Sequence, residues 1–313
     1  MAHDIVVGVD GSAEGLAAAH WAAREARRRG AGLGVVHVWH RRPRPAPYIP
    51  LDSTEREWAE KLLAGTVRSV RAAHPGLRIT DRLVCDAPVA ALLAAAADAD
   101  LLVLGSRGLG AVGGFVAGSV SQRVVGRSAR PVVLVRAGRS AADEHLPATD
   151  GVAPEEIPET PYRQVVLGLQ TDRPCDGLIE FAFDAALRRG TGLRVVHAFR
   201  TAFRPAPVPS VLVAAAPEGP PPVPRPPAHE LAEAERTVAA VLRPWRARYP
   251  SVAVTETVAE GRAAAVLIRA AHDAGLLVVG RRGTDHRAGF HTGAVTHAVL
   301  RYVGCPVAVV PHD

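Results

Sequence analysis

The stretch Gly105-Ser106-Arg107-Gly108-Leu109-Gly110-Ala111-Val112-Gly113-Gly114-Phe115-Val116-Ala117-Gly118-Ser119-Val120-Ser121 decides the fold. Just upstream, Leu101-Leu102-Val103-Leu104 is a short apolar run of the kind that makes a buried strand. Just downstream, the residues from Ser119 to Val125 have helical spacing, with Ser119 as N-cap. The order is therefore strand, glycine-rich loop, helix start. Glycines let the backbone take positive φ and come close to a ligand. The first amides of a helix lack internal partners and carry partial positive charge. Loop and helix end together make an anion site suited to phosphate. Local charge agrees: no acidic residue lies between Asp100 and Asp143, while Arg107, Arg123, Arg127, Arg130, Arg136 and Arg139 all do.

A glycine-rich loop alone also fits a plain surface loop, so known phosphate motifs must be weighed. The Gly-x-x-x-x-Gly-Lys-Ser/Thr loop is absent, because Lys61 is the one lysine in the chain. Gly108, Gly110 and Gly113 match Gly-x-Gly-x-x-Gly. That fingerprint needs an acid about 20 residues later for the ribose, and the acid-free run excludes it. Gly105, two residues, Gly108, nine residues, then Gly118-Ser119 resembles instead the nucleotide-binding signature of the universal stress protein family, which in ATP-binding members wraps the triphosphate.

The chain has 313 residues, 48% hydrophobic and 4% aromatic, with a net charge of +6. That length suggests about two domains. The arginines are scattered beside acids, as in Trp21-Ala22-Ala23-Arg24-Glu25-Ala26-Arg27-Arg28-Arg29, which reads as a solvated helix face. No basic stripe interleaved with aromatics marks a nucleic-acid platform. Cys85, Cys175 and Cys305 are odd in number and far apart, suiting neither a disulfide framework nor zinc. The start enters a strand at once and no apolar run is long enough to span a membrane, so a cytoplasmic protein is expected.

Taken in order, Ile5 to Asp10 reads as a strand ending on an acid, Ala13 to Arg29 as a helix stopped by Gly30, and Leu33 to Trp39 as a strand. A loop, Pro43 to Pro50, leads to a helix from Thr54 to Ala73 with an apolar stripe at Trp58, Leu62 and Val70. Leu77 to Cys85 is a strand, Val89 to Ala97 a helix, and Pro131 to Val135 a last strand. Alternating strands and helices predict a parallel sheet with helices on both faces.

A second copy follows. Val7-Gly8-Val9 recurs as Leu167-Gly168-Leu169, Arg28-Arg29-Gly30 as Arg188-Arg189-Gly190, and Val35-Val36-His37 as Val195-Val196-His197. Later landmarks recur at a larger offset: Gly105 with Gly280, Gly108 with Gly283, Gly118 with Gly293 and Pro131 with Pro306. The proline-dense segment Phe203 to Pro227 takes up the difference. The expected organisation is a first domain at 1–137, a polar linker at 138–162, and a second domain at 163–313.

The resemblance covers nearly the whole chain. It implies two tandem α/β, doubly wound, five-stranded domains with strand order 3-2-1-4-5. Ligands of such sheets bind at the carboxyl ends of strands where the order reverses, which would bring Asp10 and Gly105 to one cleft. It further implies that Gly8 and Asp10 line the nucleoside wall and that Val38 meets the adenine edge through its main chain. Gly105, Ser106, Arg107, Gly108, Gly118, Ser119, Val120 and Ser121 would hold ribose and phosphates. The implied cofactor is ATP, with magnesium beside the phosphates. Alone, Asp10 also reads as a turn acid, Arg107 as solvent-facing, and His37 and His197 as core or strand-end histidines. His286, His291 and His297 lack metal spacing.

The second copy departs from the pattern: Gln170 stands for Asp10, Ala294 for Ser119, and Asp285 adds an acid to the loop. A weak or empty second site is expected at Gly168, Ala198, Gly280, Gly283 and Gly293. By the resemblance, the copies pair through their last strands, and further dimerisation is open. The implied function is an ATP-binding stress or dormancy regulator. The alternatives are an interaction scaffold using the proline-rich segment, or a slow ATPase without an identified base.

Overall fold

A computed structural model describes residues 5–39, 52–106, 119–138, 140–147, 160–200, 228–283 and 292–312. The loop Pro43–Pro50, most of the glycine loop, the proline-rich segment Phe203–Pro227 and Asp285 lie outside the described residues.

The first half contains β1 (Ile5–Val9), α1 (Ala13–Arg29), β2 (Leu33–Trp39), α2 (Asp52–Ala73), β3 (Ile79–Cys85), α3 (Pro88–Ala97), β4 (Leu101–Ser106), α4 (Ser119–Arg127) and β5 (Val132–Arg136). The second contains β6 (Val165–Gly168), α5 (Asp176–Arg189), β7 (Leu193–Phe199), α6 (Ala228–Arg248), β8 (Val254–Glu260), α7 (Ala263–Ala270), β9 (Leu276–Arg282), α8 (Ala294–Tyr302) and β10 (Val307–His312). The punctuation is local chemistry. Ser12 caps α1 by accepting from the Gly15 amide at 3.0 Å. Gly30 ends the helix at φ 62°, and the Ala31 amide reaches back to the Ala26 carbonyl at 2.9 Å. That is the Schellman pattern, for which glycine is the least strained residue. Gly190 (φ 58°) and Thr191 repeat it behind α5.

The strands form one sheet in the order β3-β2-β1-β4-β5-β10-β9-β6-β7-β8. Each half thus has the expected 3-2-1-4-5 order. Within a half all pairs are parallel, and β5 meets β10 antiparallel through Val132–Val309, Val133–Ala308 and Leu134–Val307. Alternate strand residues face opposite layers. One face buries α1, α2, α5 and α6 around Val7, Trp21, Val103, Phe183 and Leu242. The other buries α3, α4, α7 and α8 around Leu92, Leu104, Val124, Val279 and Val299.

Two expectations fail. Trp58 does not belong to the apolar stripe of α2: it is 63% exposed, and the buried face is Ala59, Leu63, Val67 and Val70. These follow helical spacing one position out of phase with Trp58. The arginine-rich end of α1 is not a solvated face either. Glu25 is only 1% exposed and binds Arg189 of the second half at 2.7 Å, along with Arg28 and Arg29. Glu144, in the segment read as a polar linker, is also buried and takes Arg24 at 2.7 Å and Arg28 at 2.9 Å. Burial pushes the Glu25 carboxyl up, but Arg189, Arg28 and Arg29 together outweigh it and hold it well below the usual carboxylate range. Helix periodicity cannot distinguish such a face from a wet one, because Arg189 comes from the other repeat and Glu144 from the segment between the repeats.

Candidate functional site

The cleft at the carboxyl ends of β1 and β4 is where the strand order reverses. A cavity of about 260 Å³ opens there. Of the residues expected from the sequence, Gly8, Asp10, Val38, Gly105, Val120 and Ser121 line it. The strand register between β1 and β2 ends at Val9–His37, one residue before Val38, which lines the cavity. Arg107, Gly108 and Gly118 lie outside the described residues. Ser119 opens α4, and its side chain lies outside the description.

Ser106 is placed differently from Gly105. It is 4% exposed and does not belong to the cavity lining. Strand alternation puts it on the same face as Leu104, under α4, while Gly105 faces α1.

Several expected residues turn out to serve the frame of the site. The Asp10 carboxylate accepts at Oδ1 from the Ser12 amide (3.1 Å) and the Ser12 hydroxyl (2.5 Å). This Asx turn fixes Asp10 at the mouth of the cavity, and a carboxylate has two oxygens to offer. A Cβ on Gly105 would come within 2.7–2.8 Å of the Glu14 and Gly15 backbone. Glycine is therefore demanded there by the close approach of α1 to β4, whatever binds. The Ser121 hydroxyl donates to the Gly105 carbonyl at 3.1 Å, tying the start of α4 to the end of β4. His37 is a strand-end histidine: Nδ1 sits 2.7 Å from the Val9 carbonyl oxygen.

Ser12, Glu14, Pro88 and Leu92 also line the cavity and were not singled out from the sequence. Ser12 carried a signal, since a serine two residues after a strand-end acid marks an Asx turn and an N-cap. Leu92 carried none, because its position depends on how α3 packs.

The second half has a corresponding cavity of about 370 Å³, lined by Gly168, Ala198 and Gly280 from the expected set, together with Gln170, Asp172, Arg173, Cys175, His197, Val295 and His312. Gly283 donates its amide to the His312 carbonyl at 2.7 Å, and Gly293 caps α8 with φ 77°. That φ explains the glycine, since L side chains rarely adopt it. Thr296 donates to the Gly280 carbonyl at 3.3 Å and repeats the Ser121 latch, and His197 repeats the His37 contact at 3.0 Å to Leu169.

The cavity in the first half is lined by apolar residues and by the acidic residues Asp10 and Glu14. Val38 and Leu92 offer apolar walls, and the start of α4 offers backbone amides. Its volume falls just under the roughly 300–1,000 Å³ usual for small-ligand pockets, and the loop 107–118, which borders it in sequence, lies outside the described residues. Among the described residues no group of His, Cys, Asp or Glu is arranged to hold a metal ion, and no helix is long and apolar enough to cross a membrane.

Comparisons with known proteins agree with this architecture. A universal stress protein of Mycobacterium tuberculosis is 32% identical over 314 residues, covering 98% of this chain and 96% of its own. The crystal structure of a universal stress protein from Archaeoglobus fulgidus matches the fold at TM-score 0.65 and 18% identity, covering 100% of both chains. A crystal structure of a universal stress protein in complex with cAMP matches 44% of this chain and 100% of its own, at 30% identity and TM-score 0.33. The sequence profile described as the universal stress protein family matches residues 1–136 and 161–311, one match per half. This chain therefore belongs to the universal stress protein family.

Proposed function

We propose that the first half binds ATP and that the chain acts as a stress or dormancy regulator whose state follows nucleotide occupancy. One observation carries the reading: Gly8 and Asp10 of β1 and its turn, Val38 of β2, Gly105 of β4, and Val120 and Ser121 of α4 share one cavity at the switch point. Three segments far apart in sequence converge where a nucleotide would need them. The glycine loop and the α4 amides take the phosphates, with magnesium beside them, and the apolar wall takes the base. The second half keeps its glycines but has Gln170 and Ala294 in place of Asp10 and Ser119, so it binds weakly or not at all. The two halves, paired through β5 and β10, work as one intramolecular pair.

Calorimetric titration of the full chain with Mg-ATP tests this, together with mass spectrometry of nucleotide released on denaturation. The expected stoichiometry is near one. Gly118→Val should abolish binding without unfolding the chain. Two equivalent sites, or unchanged affinity in Gly118→Val, would sink the assignment.

A further inference from the structure

We propose that Arg281, in the second half, is a positioning residue for the nucleotide site of the first half, acting through α4; this rests on the nucleotide reading above. The helix α4 begins at Ser119, on the glycine loop, and ends at Arg127. At its far end the Arg281 guanidinium donates to the Gly126 carbonyl at 3.1 Å and the Ser128 carbonyl at 2.6 Å. Arg281 is only 8% exposed, and burial draws its pKa down. An arginine stays charged regardless, so a buried cation is committed to the carbonyl end of one short helix.

The placement follows from the sheet. Arg281 lies two residues beyond Val279 on β9, hence on the face that carries α4. Antiparallel pairing of β5 with β10, and parallel pairing of β10 with β9, brings that face against the first half. In sequence, Arg281 occupies the Ser106 position of the second glycine signature, which reads Gly280-Arg281-Arg282-Gly283. A position that in the first half is a small buried hydroxyl has become the support of the neighbouring helix.

The physics links the two ends of α4. A cation at the C-terminal carbonyls and an anion at the N-terminal amides are favoured by the same aligned peptide dipoles. Removing Arg281 takes this donor from the half-buried Gly126 carbonyl and the buried Ser128 carbonyl and loosens the last turn of the helix. The start of α4, held on one side by Ser121 to Gly105, then loses the support that fixes its direction toward the phosphates.

The contact has a reciprocal that serves as its control. Arg136 of β5 donates to the Leu300 and Arg301 carbonyls at 3.1 and 2.8 Å, at the end of α8. Its helix heads the signature that lacks the serine. Equal damage to the fold is expected from either arginine, but damage to nucleotide binding only from Arg281.

The test compares Arg281→Ala, Arg281→Lys and Arg136→Ala in the full chain, by Mg-ATP calorimetry, urea unfolding and amide hydrogen exchange. Arg281→Ala should weaken Mg-ATP binding about tenfold and speed exchange in α4. Arg281→Lys should recover part of both. Arg136→Ala should speed exchange in α8 and leave Mg-ATP affinity within about twofold. Unchanged α4 exchange in Arg281→Ala overturns the proposal, whatever the chain binds. So does an equal loss of affinity in both alanine variants. Faster α4 exchange in Arg281→Ala, with no Mg-ATP binding by the unaltered chain, upholds the α4 support and overturns only the nucleotide reading.

Discussion

The two halves share strand order, caps and loop latches, yet their clefts differ. In the first, α1 starts at Ala13, and its Glu14–Gly15 backbone lies against Gly105. In the second, Arg173 aligns with Ala13, but α5 starts only at Asp176. Pro174 explains the delay, because a residue before proline is driven out of the helical region. With that turn of helix gone, the His312 imidazole stands over Gly280 instead, 2.7 Å from where a Cβ would be. The comparison teaches that retained motif residues are poor evidence of a retained ligand. The Ser121 and Thr296 hydroxyls close the loop in both halves, with or without a complete signature.

The largest expected effect breaks the halves apart. Glu25→Ala leaves Arg189 buried without its carboxylate and should destabilise the chain by about 3–5 kcal/mol, the usual cost of breaking a buried pair. Urea unfolding measures this. A change under about 1 kcal/mol would mean that the contact between α1 and α5 contributes little to holding the halves together.

Next comes the contrast between the clefts. Asp10→Ala with Ser119→Ala should weaken Mg-ATP binding by about 10- to 100-fold, since hydrogen bonds to charged groups are worth about 1.5–3 kcal/mol. Gln170→Ala should change it by less than about twofold. Equal effects would erase the distinction.

A subtler difference lies where the first and second helices of each half meet. In the first half His20 and His74 face each other, ring centroids 5.8 Å apart, and His74 is 8% exposed with neither ring nitrogen hydrogen-bonded. In the second half Tyr249 replaces His74 and packs with Phe183 and Trp245. Burial first, then His20, Arg24 and Arg27, lowers the His74 pKa from 6.5 to about 4. Between those values the unfolded chain binds a proton that the folded chain refuses, so stability falls as pH drops from 6.5 toward 4. Glu25 and Glu144, both lowered from 4.5, add their loss only below about pH 4.5. Hydrogen exchange at pH 5 should therefore loosen α1 and α2 before α5 and α6, and His74→Gln should flatten that window. Simultaneous loosening of both pairs would contradict it. The smallest effect belongs to Trp58→Ser, which should shift stability by no more than about 0.5 kcal/mol because the ring is exposed.

The alternation of strands and helices and the repeat were legible in short apolar runs and glycine stops, whereas the strand order, and with it the meeting of Asp10 with Gly105, was implied by the family resemblance. The roles of individual residues were less so. Ser106 looked like a ligand by motif position, but strand alternation buries it under α4. Glu25 looked solvated because Arg28 and Arg29 are its neighbours on the same helix, while Arg189, which buries it, comes from the second half. Arg281 was not singled out among the departures of the second copy, because its target on α4 is set by pairing between halves.

The antiparallel meeting of β5 and β10 carries a consequence for dosage. Two separate subunits joined at such an edge would part on dilution, so their pairing would depend on how much protein a cell holds. Here both strands belong to one chain, and each sees the other at an effective concentration on the order of millimolar. The paired state then stays the same from the first molecule made to the last, whatever the abundance of the chain.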